Sequence, residues 1–151
     1  MSESLDINSL FSLDGKVALV TGGSRGIGFM ISQGLLQAGA RVYITARKAE
    51  PCLQAARELS RFGDCVGLPG DVVDEDARRD LCERLAKDEQ RLHILVNNAG
   101  TAWGASYEEY PQAAFDKVMR TNVGAMFCLT RDLTPLLQAA ARSDDPARVI
   151  N

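Results

Sequence analysis

The stretch "ALVTGGSRGIG", Ala18 to Gly28, packs four glycines into its last seven residues. It follows Val17 as part of a short β-rich run, Val17–Thr21, that opens straight onto glycine, as a buried parallel strand does. Beyond the glycines, Ile27, Met30, Ile31, Gly34, Leu35 and Ala38 recur at helical spacing. That spacing predicts a helix with one apolar face, closed by Gly39. Without Cβ atoms, Gly22, Gly26 and Gly28 let the backbone turn tightly and approach a ligand. The helix behind them aims unpaired N–H groups and about half a positive charge at the same place. A diphosphate is the natural occupant. The plainer alternative is a glycine-rich turn that holds nothing. The full spacing T-G-x-x-x-G-x-G, set between strand and helix, is more specific than a lone G-x-G-x-x-G.

Working outward, strand and helix patterns alternate. "RVYITA" (41–46) predicts a second strand, and a helix from about Pro51 to near Gly63 follows. "CVGL" is a weak third strand. Asp74 is placed to cap a helix whose Ala77, Leu81 and Leu85 share a face. "HILVNNAG" is a fourth strand running into a turn, and residues 113–141 form a long amphipathic segment containing Pro135, a point where it could kink. "ARVIN" begins a fifth strand. Such alternation predicts an α/β fold, one doubly wound parallel sheet covered on both faces. The chain reads as a single domain that is cut within its fifth strand.

Its 151 residues suffice for one core. A net charge of −3, with no basic run, argues against nucleic acid or an anionic membrane as partner. The four cysteines show no C-x-x-C spacing and there is one histidine, so a Cys/His metal site is not expected. Unpaired cysteines suit a reducing cytoplasm. The opening "MSESLDINSLFSLDG" lacks the pattern of a signal peptide, and no apolar run reaches the length of a membrane span.

Thr21–Gly28 together with Asn97-Asn98-Ala99-Gly100 resembles the classical short-chain dehydrogenase/reductase family, from about Leu13 to Asn151. Within it, "NNAGTAWGA" and "PARVIN" most resemble 3-oxoacyl (β-ketoacyl) reductases of the rhamnolipid-pathway type. The resemblance implies NADP(H) as cofactor. Ala46 stands where the family's NAD-type acid would sit, Arg47 follows it, and Arg25 lies inside the glycine loop. Two guanidiniums there would clamp a 2′-phosphate; alone, either is also an ordinary solvated charge. The resemblance further assigns Ser24 and Ile27 to the cofactor loop and Asp71 and Val72 to the adenine, although as a plain turn acid Asp71 is also unremarkable. Asn98, Ala99 and Gly100 would run beside the ribose, and Asn97 would tie strands together. His93 is not expected to be catalytic.

Asn122 falls in the apolar stripe Phe115, Val118, Met119, Val123 and Met126. It reads either as a satisfied core amide or as the family's catalytic asparagine, which distorts its helix and anchors a water beside a lysine. Trp103 either lines a substrate mouth or packs as a loop aromatic. Ketone reduction also needs a proton for the developing alkoxide. In this family it comes from the tyrosine of Y-x-x-x-K. Tyr43, Tyr107 and Tyr110 are followed four residues later by Arg47, Pro111 and Ala114, so the motif is absent. The expectation is therefore the nucleotide-binding part of a reductase of a small carbonyl substrate, such as an acyl thioester, cut before its proton donor. It would be inactive alone and a homo-oligomer when full length. A non-catalytic NADP(H)-binding sensor, or the inactive subunit of a hetero-oligomer, is the competing reading.

Overall fold

The run Val17–Thr21 (β1) alternates strictly in which face it buries, and that alternation organises the whole molecule. A computed structural model describes residue 6 and residues 10–151. Residues 1–5 and 7–9, part of the segment read for a leader, lie outside the described residues. Val17 and Leu19 point into one apolar cluster, Ala18 and Val20 into another, on opposite faces of the sheet. Arg41–Thr45 (β2) and Ile94–Val96 (β4) divide in the same way: Tyr43 and Leu95 to the first cluster, Val42, Ile44, Ile94 and Val96 to the second. A strand buried on both faces loses its polar positions, which is why these segments read as unbroken apolar runs.

With Cys65–Gly67 (β3) and Arg148–Ile150 (β5), the sheet has five parallel strands in the order β3-β2-β1-β4-β5. The helices Gly26–Gln37 (α1) and Ala49–Leu59 (α2) cover the second cluster. Glu75–Asp88 (α3) and the long helical segment beyond β4 cover the first. The doubly wound α/β fold is as expected, and the glycine at position 39 does close α1, its N–H bonded to the Leu36 carbonyl. At the far end of the sheet, His93 accepts the Val17 N–H at Nδ1 over 3.0 Å. Burial, aided by Lys16, keeps that imidazole below its usual pKa, in the neutral form an acceptor requires.

Two helix faces differ from the expectation. Ile27 and Met30 are 70% and 69% exposed, whereas Gly28, Ser32 and Leu36 are the buried positions of α1. Small residues let this helix approach the sheet closely, so its large apolar side chains flank the contact instead of making it. The long segment is not one regular helix. Gln112–Met119 (α4) passes through a π-helical stretch, Arg120–Ala125, into Met126–Ala140 (α5). The wide stretch shifts the register: Phe115, Met119 and Val123 are exposed, and Ala125, Leu129, Leu133 and Leu137 make the core face. Pro135 sits inside α5 with the helix continuous across it.

The Asp74 side chain accepts the Ala77 N–H over 2.9 Å and caps α3. Asp74→Ala should lower stability by about 0.5–2 kcal/mol, measured by denaturant unfolding. A change well under that range would mean that the cap is redundant with the acidic first turn of Glu75 and Asp76.

Candidate functional site

In a parallel sheet every carboxyl end points to one edge, and the chain here crosses from β3 on one side of β1 to β4 on the other. The crevice at such a switch point is where this architecture takes ligands. Along that edge lie the glycine loop after β1, Ala46 and Arg47 after β2, Asp71 and Val72 beyond β3, and Asn98–Gly100 after β4.

The two motifs that flank the switch point are stitched together. Ala99 donates its N–H to Thr21 Oγ1 at 2.8 Å, and that hydroxyl donates to the Val96 carbonyl at 3.3 Å. Asn98 Nδ2 donates to the Thr21 carbonyl at 2.9 Å and reaches that of Gly22 at 3.5 Å. The side chains of Thr21 and Asn98 thus tie β4 to β1. Asn97 binds the other way, its N–H to the Ile150 carbonyl and Nδ2 to Thr130 Oγ1 and Asn151 Oδ1. Thr21, fully buried at the strand end, is a participant the sequence reading did not single out. Its signal was a polar residue closing an otherwise apolar strand.

The glycine loop suits an anion. Gly26 opens α1 at φ 56°, and a Cβ there would meet nothing within 4 Å, so the space above the turn is open. Gly28 is the opposite case. A Cβ there would run into the Gly22 carbonyl oxygen and Asn98 Nδ2. No side chain caps α1, and its first turn contains no acid. The N–H groups of that turn therefore lack the compensation that α3 receives from Asp74. Ser24 is half-buried in the loop, and Ile27 lies exposed on the first turn.

Arg25 and Arg47 are exposed, and among the described residues neither guanidinium makes an ion pair or hydrogen bond. All four arginines on α2 and α3 are paired, whereas Arg25 and Arg47, like Arg91 and Arg120, have no such partner among the described residues; Arg25 immediately precedes the uncapped start of α1. Ala46 leaves no carboxylate to oppose them. Open space, free N–H groups and two free guanidiniums are the donor set that a dinucleotide with a 2′-phosphate requires. Asp71 accepts the Val73 N–H at 3.0 Å through Oδ1, and its carbonyl accepts from Asp74, which fixes the turn into α3.

Asn122 lies at the centre of the π-helical stretch, half-buried and beside the core face, not within it as its spacing suggested. Its Oδ1 accepts the Thr101 N–H and its Nδ2 donates to the Thr101 carbonyl, both at 2.9 Å. One amide thereby holds the backbone just beyond Gly100. Trp103, in the loop that follows, is about half exposed. Of the tyrosines, Tyr43 is fully buried and donates to Glu89 Oε1 at 2.8 Å. Burial first, then that bond, push its phenol far above the usual range, so it stays protonated. Among the described residues, no three His, Cys, Asp or Glu side chains gather to hold a metal, and no helix is long and apolar enough to cross a membrane.

The family described as short chain dehydrogenase matches residues 16–151. A rhamnolipid-biosynthesis 3-oxoacyl-acyl-carrier-protein reductase of Pseudomonas aeruginosa is 55% identical over 141 residues, 93% of this chain and 55% of that protein. The gluconate 5-dehydrogenase of Gluconobacter oxydans is 42% identical over 119 residues, 78% of this chain and 46% of that one. Among solved structures, the Pseudomonas aeruginosa RhlG/NADP active-site complex superposes with a TM-score of 0.90 at 55% identity, covering 93% of this chain and 55% of that one. A metagenomic short-chain oxidoreductase in complex with NADP gives 0.78 at 36% identity, covering 86% and 60%. The chain spans about half the length of the curated relatives it matches.

Proposed function

Because the chain belongs to the short chain dehydrogenase family, we propose that it forms the cofactor-binding part of an NADPH-dependent oxidoreductase that reduces a ketone such as a 3-oxoacyl thioester. The observation that carries the reading is the glycine loop with two guanidiniums that have no partner among the described residues, and Ala46 in place of an acid. The similarity to the 3-oxoacyl reductase and to structures solved with NADP supports it. Bound there, NADPH supplies a hydride to a carbonyl carbon.

The protein's own part is binding and orientation. The loop of Gly22, Ser24, Gly26, Ile27 and Gly28, with the start of α1, holds the diphosphate. Arg25 and Arg47 hold the 2′-phosphate. Asp71 and Val72 face the adenine, and Asn98, Ala99 and Gly100 run along the ribose. Asn122 is the catalytic residue, its place at the wide helical turn suiting it to hold a water near the reacting atoms. On this reading the proton for the alkoxide is not supplied by a tyrosine of these 151 residues. The absence of Y-x-x-x-K and the roughly half-length coverage of the relatives support that assignment. On this reading residues 1–151 alone do not turn over.

Self-association fits the same reading. Phe115, Met119, Val123 and Phe127 form a line of exposed apolar side chains across the π-helical stretch, a surface suited to a second copy. A cytoplasmic setting is consistent with four free cysteines. No observation favours the non-catalytic alternative.

Arg47→Ala tests the cofactor assignment. NADPH affinity, read by isothermal titration, should fall about tenfold or more, as loss of a charge-assisted bond of roughly 1.5–3 kcal/mol implies. NADH affinity should stay unchanged. Equal losses for the two cofactors would remove Arg47 from the 2′-phosphate.

A further inference from the structure

We propose that Arg78 is a positioning residue for the adenine end of the cofactor site: from α3 its buried guanidinium reaches back to hold the Val72 carbonyl and across to Asp132 on α5. Arg78 is 6% exposed. Its Nη1 donates to the Val72 carbonyl at 3.3 Å and its Nε to Asp132 Oδ2 at 2.8 Å. Burial raises the Asp132 carboxyl, but hydrogen bonds from Arg78 and Arg131 outweigh it and leave the group below its usual pKa, so the pair is charged.

The same elements contribute Val72, Leu81, Leu85, Leu129 and Leu133 to one buried cluster, while Asp132 is a quarter exposed and lines a cleft with Glu75, Arg79 and Arg131. Stability alone is a poor reason to place a guanidinium there. Buried ion pairs contribute little net stability, and apolar replacement of both partners is often neutral or better. What the arginine does provide is a fixed direction for one carbonyl. The Asp71–Asp74 turn is already bonded locally, by Asp71 to Val73 and Asp74. Besides the Asp74 cap on Ala77, Arg78 adds a second side-chain bond that anchors this turn to α3, and its Asp132 partner extends the tie to α5. Two consequences follow: the Val72–Val73 peptide is held still, and α3 is tied to α5, the helix that follows the π-helical stretch holding Asn122. Arg78 also lies on the same helical face as Leu81 and Leu85, a cation inside an apolar stripe.

The inference rests on the reading of Asp71 and Val72 as the adenine subsite. The experiment compares wild type, Arg78→Lys and the double variant Arg78→Met/Asp132→Leu, which removes both charges together. Thermal unfolding is followed alongside titration with NADPH and with 2′,5′-ADP, which contains only the adenine half. The double variant should unfold within a few degrees of wild type. Both ligands should bind about tenfold more weakly, by the same factor. Arg78→Lys, with one donor head in place of a fork, should fall between. Unchanged 2′,5′-ADP affinity, a loss confined to NADPH, or unfolding of the double variant would each overturn the proposal. Wild-type protein that binds neither ligand would instead overturn the cofactor site itself, and this inference with it.

Discussion

Gly28→Ala is expected to abolish dinucleotide binding at concentrations that saturate the wild type. The added methyl has no free direction. It meets the Gly22 carbonyl oxygen on one side and Asn98 Nδ2 on the other. Both belong to the stitch between the glycine loop and the turn after β4, so relieving the clash opens the loop or breaks the Asn98 bonds. Within α1 the Gly28 carbonyl also accepts the Ser32 hydroxyl at 2.8 Å. Overpacking of this kind costs roughly 1–3 kcal/mol, and here it falls on the geometry that faces the diphosphate, so an affinity loss of about 100-fold is expected. Gly34→Ala on the same helix is the control. A Cβ there meets nothing, and alanine should be neutral or stabilising by roughly 0.5–1 kcal/mol. If both variants bind NADPH like wild type, the loop is not the phosphate site.

Asn122→Ala should lower kcat about 100-fold in the protein that turns over, while NADPH affinity stays within about threefold; the lost clamp alone amounts to roughly 1–3 kcal/mol. The asymmetry follows from what the amide touches. It bonds the Thr101 backbone twice, beyond the stretch assigned to the ribose, and makes no contact with the glycine loop. Asn122→Asp keeps the acceptor for the Thr101 N–H and loses the donor, so it should retain more of the fold than alanine does without recovering turnover. Poor cofactor binding with turnover intact would reduce Asn122 to a structural amide.

The strands β1, β2 and β4 were readable because a strand buried on both faces is almost wholly apolar, and β1, β3, β4 and β5 end at glycine or asparagine. The glycine loop was readable for a related reason: φ 56° at Gly26 and the crowding at Gly28 leave few residue types available. Helix orientation was harder. Apolar spacing on α1 pointed to Ile27 and Met30, yet the contact with the sheet is made through Gly28, Ser32 and Leu36. A face built from small residues carries almost no hydropathy signal. The stripe through Phe115, Met119 and Val123 misled differently, since its spacing assumed a regular helix and the backbone widens at Arg120–Ala125. Thr21, Asn98 and Arg78 act on partners on other elements or across a turn, and no local pattern reveals which carbonyl a side chain will meet.

Trp103 provides the most direct test of the cofactor site, because it is the sole tryptophan and follows the Asn97–Gly100 turn. Tryptophan emission overlaps the absorption of reduced nicotinamide, so NADPH bound at this edge should quench Trp103 and brighten in return. The measurement is that energy transfer on titration with NADPH, repeated with Arg25→Ala/Arg47→Ala. The account predicts a saturable signal for wild type, displaced by 2′,5′-ADP and shifted to at least tenfold higher NADPH concentration in the double variant. A wild-type titration with no saturable transfer, or one that the two substitutions leave unmoved, would contradict it.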